Sequence, residues 1–148
     1  MVKIKVAWIG KTKDPAVQAL TAEYLKRLSG YAQLEALAVG SEPALLKLAA
    51  RAPNRPPSTL VLLDSRGRQF TSEEFARFLD DQQNRGPQPL LFAVGPADGF
   101  SDLARKTASS LLSLGKMTLP HELARVVLLE QLYRAFTILK GHPYHLGH

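Results

Sequence analysis

Short apolar runs alternate with amphipathic segments along most of the chain. Residues 2–9 read as a strand ended by Gly10, and 34–39 as a second. Residues 60–63 and 90–94 read as buried strands ended by Asp64 and Gly95, and 108–114 as a last short one. Segments of helical period lie between them. The first, 15–28, has Asp14 as N-cap and Pro15 at its first helical position. Leu20, Tyr24, Leu25 and Leu28 supply its apolar stripe. A second covers roughly 42–52 and stops at Pro53-Asn54-Arg55-Pro56-Pro57. Gly67 marks a turn. Thr71 or Ser72 then caps a helix to about residue 83, with Glu73 and Glu74 where the helix dipole favours acids. Residues 101–106 are helical, and a final helix runs from His121 to Lys140. This alternation predicts an α/β fold: one domain over 1–148, with a mostly parallel sheet and helices on both faces. In such sheets ligands sit beyond the C-terminal strand ends. The turns after Leu63, Val94 and Leu114 are therefore expected to build the site.

The final helix lacks the wet face expected of a surface helix. Leu123, Val126, Val127, Leu128, Leu129, Leu132, Tyr133, Phe136, Ile138 and Leu139 point nearly all the way round it. One face can pack on the sheet. The remainder is an apolar band that needs a partner, and a symmetric homodimer is the commonest solution. The helix also carries Arg125, Glu130 and Arg134, which serve equally well as interface ion pairs or as groups beside a pocket. All four histidines of the chain fall between His121 and His148.

Composition narrows the function. A length of 148 residues with 45% hydrophobic content suffices for a core without staples. The chain has no cysteine, which excludes disulfides, thiolate zinc sites and cysteine nucleophiles, and fits a reducing cytoplasm. Lys3 and Lys5 interrupt the N-terminal apolar run, so no signal peptide is read, and no run is long enough to span a bilayer. A net charge of +6 and a pI near 9.8 favour a polyanionic partner, nucleic acid before membrane surface.

Several motifs fail on spacing. Gly10-Lys11-Thr12 ends like a P-loop, but Lys5 stands where the earlier glycine belongs. Val94-Gly95-Pro96-Ala97-Asp98-Gly99 is not the dinucleotide fingerprint; it is either a tight structural turn or a backbone surface that approaches a small ligand. His121-Glu122 opens like a zinc-protease helix, yet Arg125 occupies the second histidine's place. His142, His145 and His148 lie three apart, but the proline and glycine among them argue against a preformed metal site, and no metal is expected.

Gly10-Lys11-Thr12-Lys13, Glu23-Tyr24-Leu25-Lys26-Arg27-Leu28, Leu63-Asp64, Gly95 and Asp98-Gly99 carry a resemblance. So, above all, do Lys116-Met117-Thr118-Leu119-Pro120-His121, Leu132-Tyr133-Arg134-Ala135 and His142-Pro143-Tyr144-His145. Together they resemble the RlmH family of bacterial 23S rRNA pseudouridine N3-methyltransferases, of the SPOUT class, over essentially the whole chain. The resemblance implies a homodimer, a C-terminal trefoil knot, S-adenosylmethionine (SAM) as methyl donor and the assembled ribosome as substrate. Carried over by position, the SAM pocket falls on Leu63, Gly95, Leu114, Gly115, Lys116, Met117, Thr118 and Leu119. These are the turns that the strand ends select. Pro96 stands where a second glycine is usual, and Leu146-Gly147-His148 replaces the usual basic end.

Methylating an imide nitrogen requires its proton to be removed and its lone pair aimed at the methyl group. Tyr144 and His145 are the first choice for the catalytic neighbourhood, with Arg125, Glu130 and Arg134 shaping it and His121 as a further proton carrier. Gly141 and Pro143 end the last helix, so Tyr144 and His145 can reach a neighbouring subunit. The expected active site is composite, with SAM on one protomer and the tail from the other. Two other classes are compatible with charge and pattern: a non-catalytic RNA- or ribosome-binding module, and a small nucleotide-binding oxidoreductase domain. The first predicts no SAM binding, and the missing glycine fingerprint disfavours the second.

Overall fold

In the computed structural model, which describes residues 2–86 and 88–145, the apolar runs become five strands of one parallel sheet. They are β1 (Lys3–Ile9), β2 (Gln33–Val39), β3 (Thr59–Gln69), β4 (Leu90–Val94) and β5 (Ser110–Ser113), in the order β2-β1-β4-β3-β5. The central β4 is buried at every position, which explains why it reads as an unbroken apolar run. Its residues alternate between two cores. Leu90, Phe92 and Val94 face one, Leu91 and Ala93 the other.

The helices are α1 (Pro15–Leu28), α2 (Glu42–Ala49), α3 (Ser72–Arg85), α4 (Asp102–Thr107) and α5 (His121–Lys140). Buried residues of α1, α3 and α5 join the first core, and those of α2 and α4 the second. Both faces of the sheet are therefore covered. The Asp14 side chain accepts from Ala16 N at 2.8 Å and caps α1 as expected. The α1 stripe is shifted, however: Val17 and Leu28 are buried, while Leu20 points outward at 44% exposure. Helix α2 ends earlier than its periodicity predicts, because Ala50 turns extended and Ala52 pairs with Arg55 in a tight turn.

Strand β3 corrects the sequence reading most. It does not stop at Asp64 but runs to Gln69, with a register shift against β5. Leu63 pairs with Leu112 before the shift, and Arg68 pairs with the same Leu112 after it. Gly67 lies against the Leu111–Leu112 peptide; a Cβ there would stand 2.5 to 2.6 Å from backbone atoms. The polar, glycine-containing stretch is a wrap around β5 rather than a terminating turn.

Helix α5 occupies the groove between α1 and α3. Leu128, Leu129 and Leu132 are wholly buried, and Val126, Ala135 and Phe136 nearly so. The chain itself covers most of the band that the sequence reading gave to a partner. What it leaves outside is Leu123, 41% exposed, with Val127, Tyr133 and Leu139 half-buried. Gly141 then ends the helix at φ 70°, the left-handed conformation that a glycine cap supplies. Among the described residues no helix is long and apolar enough to cross a membrane.

Candidate active site

Strands β3, β4 and β5 are neighbours, so the irregular stretch of β3 after Leu63 and the turns after Val94 and Ser113 converge. They enclose a cavity of about 320 Å³ lined by residues 63–65, 94–99 and 112–119, with His121 and Ala124 of α5. Every expected cofactor position lies on it: Leu63, Gly95, Leu114, Gly115, Lys116, Met117, Thr118 and Leu119. A larger cleft of about 450 Å³ involves Lys3, Gln82, Gly86 and Leu90. It sits at the opposite, N-terminal end of the strands, where this sheet class does not place ligands.

The turns are shaped by specific contacts. Gly99, at φ 83°, donates its N–H to Pro96 O at 2.9 Å, so the turn closes with Pro96 in place. The Ser113 hydroxyl donates to Gly115 O at 2.9 Å and accepts from Gly115 N at 3.2 Å. A Cβ on Gly95 would meet the Phe100 ring at 3.0 to 3.2 Å, a crowding the sequence did not signal, so the ring must give by a few tenths of an ångström to admit one. On the remaining wall, Asp64 accepts from Arg66 N at 2.8 Å and faces the Arg105 guanidinium at 3.4 Å. Arg105 also donates to Phe100 O, which ties the two turns together.

The first turns of α5 brace the cavity from the other side. His121 lines it. One turn on, Arg125 is wholly buried, donating to Thr12 Oγ1 at 2.8 Å and Ile9 O at 3.3 Å with its guanidinium 5.2 Å from the Trp8 ring. Burial lowers its pKa, with Glu122 acting in the opposite sense. Glu122 Oε1 accepts from Lys13 N at 3.0 Å and Asp14 N at 3.1 Å. Those amides, Asp14 foremost, hold its carboxyl below the usual range. Arg125 therefore clamps the β1–α1 loop and does not join Glu130 and Arg134.

Those two residues do meet the tail. Tyr144 Oη donates to Glu130 Oε2 at 2.9 Å, and Arg134 pairs with the same carboxylate at 2.9 Å. The Arg134 guanidinium lies 5.0 Å from the centre of the Tyr144 ring and bonds His145 Nδ1 at 2.9 Å. Burial, then hydrogen bonding to Tyr24 and Glu130, pushes the Tyr144 phenol well above its ordinary pKa. Four of the expected catalytic residues thus form one network, while His121 sits at the cavity and Arg125 in the core. The network also enlists residues not singled out from sequence as site members. Glu73 Oε1 lies 2.7 Å from His145 Nε2, and Ser72 reaches Glu130 through Gln131. Glu73 had looked like a helix-dipole residue, and nothing local signals a bond 72 positions away. His142 diverges from His145 and bonds the Tyr31 hydroxyl. Among the described residues no group of three or more His, Cys, Asp or Glu is arranged to hold a metal; His148 lies outside the described residues, as does the rest of 146–148.

The chain matches the family described as "Predicted SPOUT methyltransferase" over residues 2–145. Solved structures agree on the fold. A probable methylase family protein from Haemophilus influenzae superposes with a TM-score of 0.61 at 13% identity, over 97% of this chain and 71% of that one. The SpoU methyltransferase AviRb from Streptomyces viridochromogenes, solved with AdoMet, gives 0.53 at 16% identity, over 95% of this chain and 59% of that one. The class is a SPOUT methyltransferase.

Sequence relatives narrow it. The ribosomal RNA large subunit methyltransferase H of Koribacter versatilis is 61% identical, over 99% of both chains. That of Gloeobacter violaceus is 44% identical, over 98% of this chain and 99% of the relative. The chain belongs to the RlmH family.

Proposed function

We propose that the protein transfers a methyl group from SAM to N3 of a pseudouridine in 23S rRNA of the assembled ribosome, in the cytoplasm, as a homodimer with composite active sites. One observation carries the cofactor half: positions that the resemblance assigns to SAM line a single strand-end cavity. The lining suits the molecule. Leu63, Leu114 and Leu119 offer apolar walls for a purine, the turns offer backbone donors and acceptors to its edge, and Asp64 and Asp98 offer negative charge to a ligand that carries a sulfonium and an ammonium. The relatives, named as large-subunit ribosomal RNA methyltransferases, support large-subunit rRNA as substrate, and the net charge of +6 suits a polyanion.

The network supports a site built from two protomers. Ala124 lines the cavity and Arg134 belongs to the network, about 15 Å further along the same helix by its rise per residue. Methyl donor and acceptor must come into contact, so Tyr144 and His145 are better placed to serve a neighbouring subunit's cavity. The remaining exposed apolar side chain on α5, Leu123, would lie in that contact.

Bound SAM supplies an activated methyl group; the chain supplies position and proton handling. Cavity and tail orient the two reactants, which removes much of the entropic barrier. Glu130 is the group to take the imide proton, Tyr144 and His145 are placed to hold the pyrimidine, and Arg134 offers a cation to charge developing on the ring. The test is transfer of labelled methyl from SAM to ribosomes lacking the modification, set against naked 23S rRNA, with the product nucleoside identified. Label in N3-methylpseudouridine supports the reading. Absence of SAM binding would leave a non-catalytic ribosome-binding module in its place.

A further inference from the structure

The structure assigns Glu73 as a positioning residue that fixes the ring of His145 in one tautomer. This rests on the reading that the tail serves the active site, and it adds a residue outside that tail. His145 is bonded on both ring nitrogens, with Nδ1 2.9 Å from Arg134 Nη1 and Nε2 2.7 Å from Glu73 Oε1. A guanidinium only donates, so Nδ1 must present its lone pair. An ionised carboxylate only accepts, so the proton must be on Nε2. One neutral tautomer satisfies both partners.

The two partners are themselves held. Arg134 is fixed by Glu130, with Nε 3.1 Å and Nη2 2.9 Å from Oε2. Glu73 stands in the first turn of α3, where its own backbone amide and then His145 hold its carboxyl below the usual range. Its neighbour Glu74, not Glu73, closes the capping box with Thr71. Helix initiation and tail orientation thus fall to adjacent residues, and Glu73 can be changed without opening the cap. The ring it holds follows Gly141 and Pro143, just past the helix, where a side chain without partners samples many orientations. Carboxylate and guanidinium leave it one.

The experiment uses the full-length protein with nitrogen-15-labelled histidine, and compares wild type, Glu73→Ala and Glu73→Gln. Nitrogen chemical shifts report the tautomer of His145, assigned by its loss in His145→Gln, and circular dichroism reports folding. Wild type should show a bare Nδ1 and a protonated Nε2. Glu73→Ala leaves Nε2 without its acceptor and frees the ring to swing off Arg134 as well, so it should shift that ring toward a tautomer mixture and lower kcat for methyl transfer by about tenfold, less than the roughly hundredfold or more of a lost acid or base. KM for SAM should stay unchanged. Glu73→Gln keeps an acceptor oxygen and should retain the wild-type tautomer and most of kcat, a rescue that loss of a helix-dipole charge would not give. An unchanged tautomer in folded Glu73→Ala overturns the assignment of Glu73. A changed tautomer with unaltered methyl transfer leaves Glu73 holding the ring but overturns the tail as part of the active site.

Discussion

Arg125 and Thr12 stand 113 positions apart, yet the guanidinium donates to the threonine hydroxyl at 2.8 Å inside the protein. Burying an arginine with no carboxylate in hydrogen-bonding contact is costly, and it persists only where its donors are used. Here Nη1 and Nη2 bond Thr12 and Ile9 O, and the Trp8 ring faces the cation, although Nε has no partner. Together with Glu122, the residue fastens the cavity-side end of α5 to the loop that opens α1.

Replacing Arg125 by alanine should therefore act on stability. The change leaves a cavity and strips Thr12 Oγ1 and Ile9 O of a donor, a loss of about 2–4 kcal/mol in urea unfolding. A stability within about 0.5 kcal/mol of wild type would show that the clamp carries no weight.

Gly67→Ala should be among the most damaging single changes in the chain. The added Cβ would stand 2.5 to 2.6 Å from backbone atoms of Leu111 and Leu112, and backbone cannot step aside as a side-chain tip can. A loss of more than about 3 kcal/mol, or failure to fold, is expected. Thermal unfolding of the purified variant, compared with Gly30→Ala where a Cβ meets nothing nearer than 3.8 Å, separates this effect from a general intolerance of alanine.

The Glu122 carboxyl is held below the usual carboxylate range in the folded protein, first by the Asp14 amide. Its contribution is fully present above the unfolded-state pKa and fades as pH falls through the depressed folded one. Glu122→Gln should thus differ most from wild type near neutrality, and the gap in unfolding midpoint should shrink between about pH 5 and pH 3. A gap that widens on acidification would mean that the carboxylate is not what those amides stabilise.

Calorimetry of SAM binding tests the cavity. Gly95→Val should weaken binding at least about tenfold, because the side chain crowds the Phe100 ring and reshapes the wall. Unchanged affinity in a folded variant removes the 94–99 turn from the cofactor site.

Deletion from Tyr144 onward should leave folding and SAM binding nearly intact, at the loss of the bonds to Glu130 and Glu73, while methyl transfer collapses. Co-expression with full-length Gly95→Val gives heterodimers with one complete composite site. Activity that reappears in purified heterodimers supports a tail acting in trans. Inactive heterodimers return the tail to its own subunit.

Much of this architecture was readable from residue pattern. Asp14-Pro15 starts a helix and Gly141 stops one for reasons contained in a few residues, and α1, α5 and β4 fall where period and caps put them. The cavity was readable because strand ends in a parallel sheet converge by construction. What escaped depends on distant chain. The periodicity of α5 says that all its sides are apolar but not that α1 and α3 supply the cover. Gly67 looks like a turn because a strand that wraps its neighbour needs the same small residue. Arg125 shares a helix with Glu130 and Arg134, yet its partners come from β1 and the loop after it.

The wrap of β3 has a consequence for solubility. A terminal strand normally offers a row of unpaired amides and carbonyls to any passing strand, and chains rich in apolar segments aggregate along such edges. Here β5 is only four residues long, and β3 returns to it a second time through Arg68 and Gln69. At that edge of the sheet the four-residue β5 leaves another molecule's strand only a short template, whereas β2 at the opposite edge keeps seven residues.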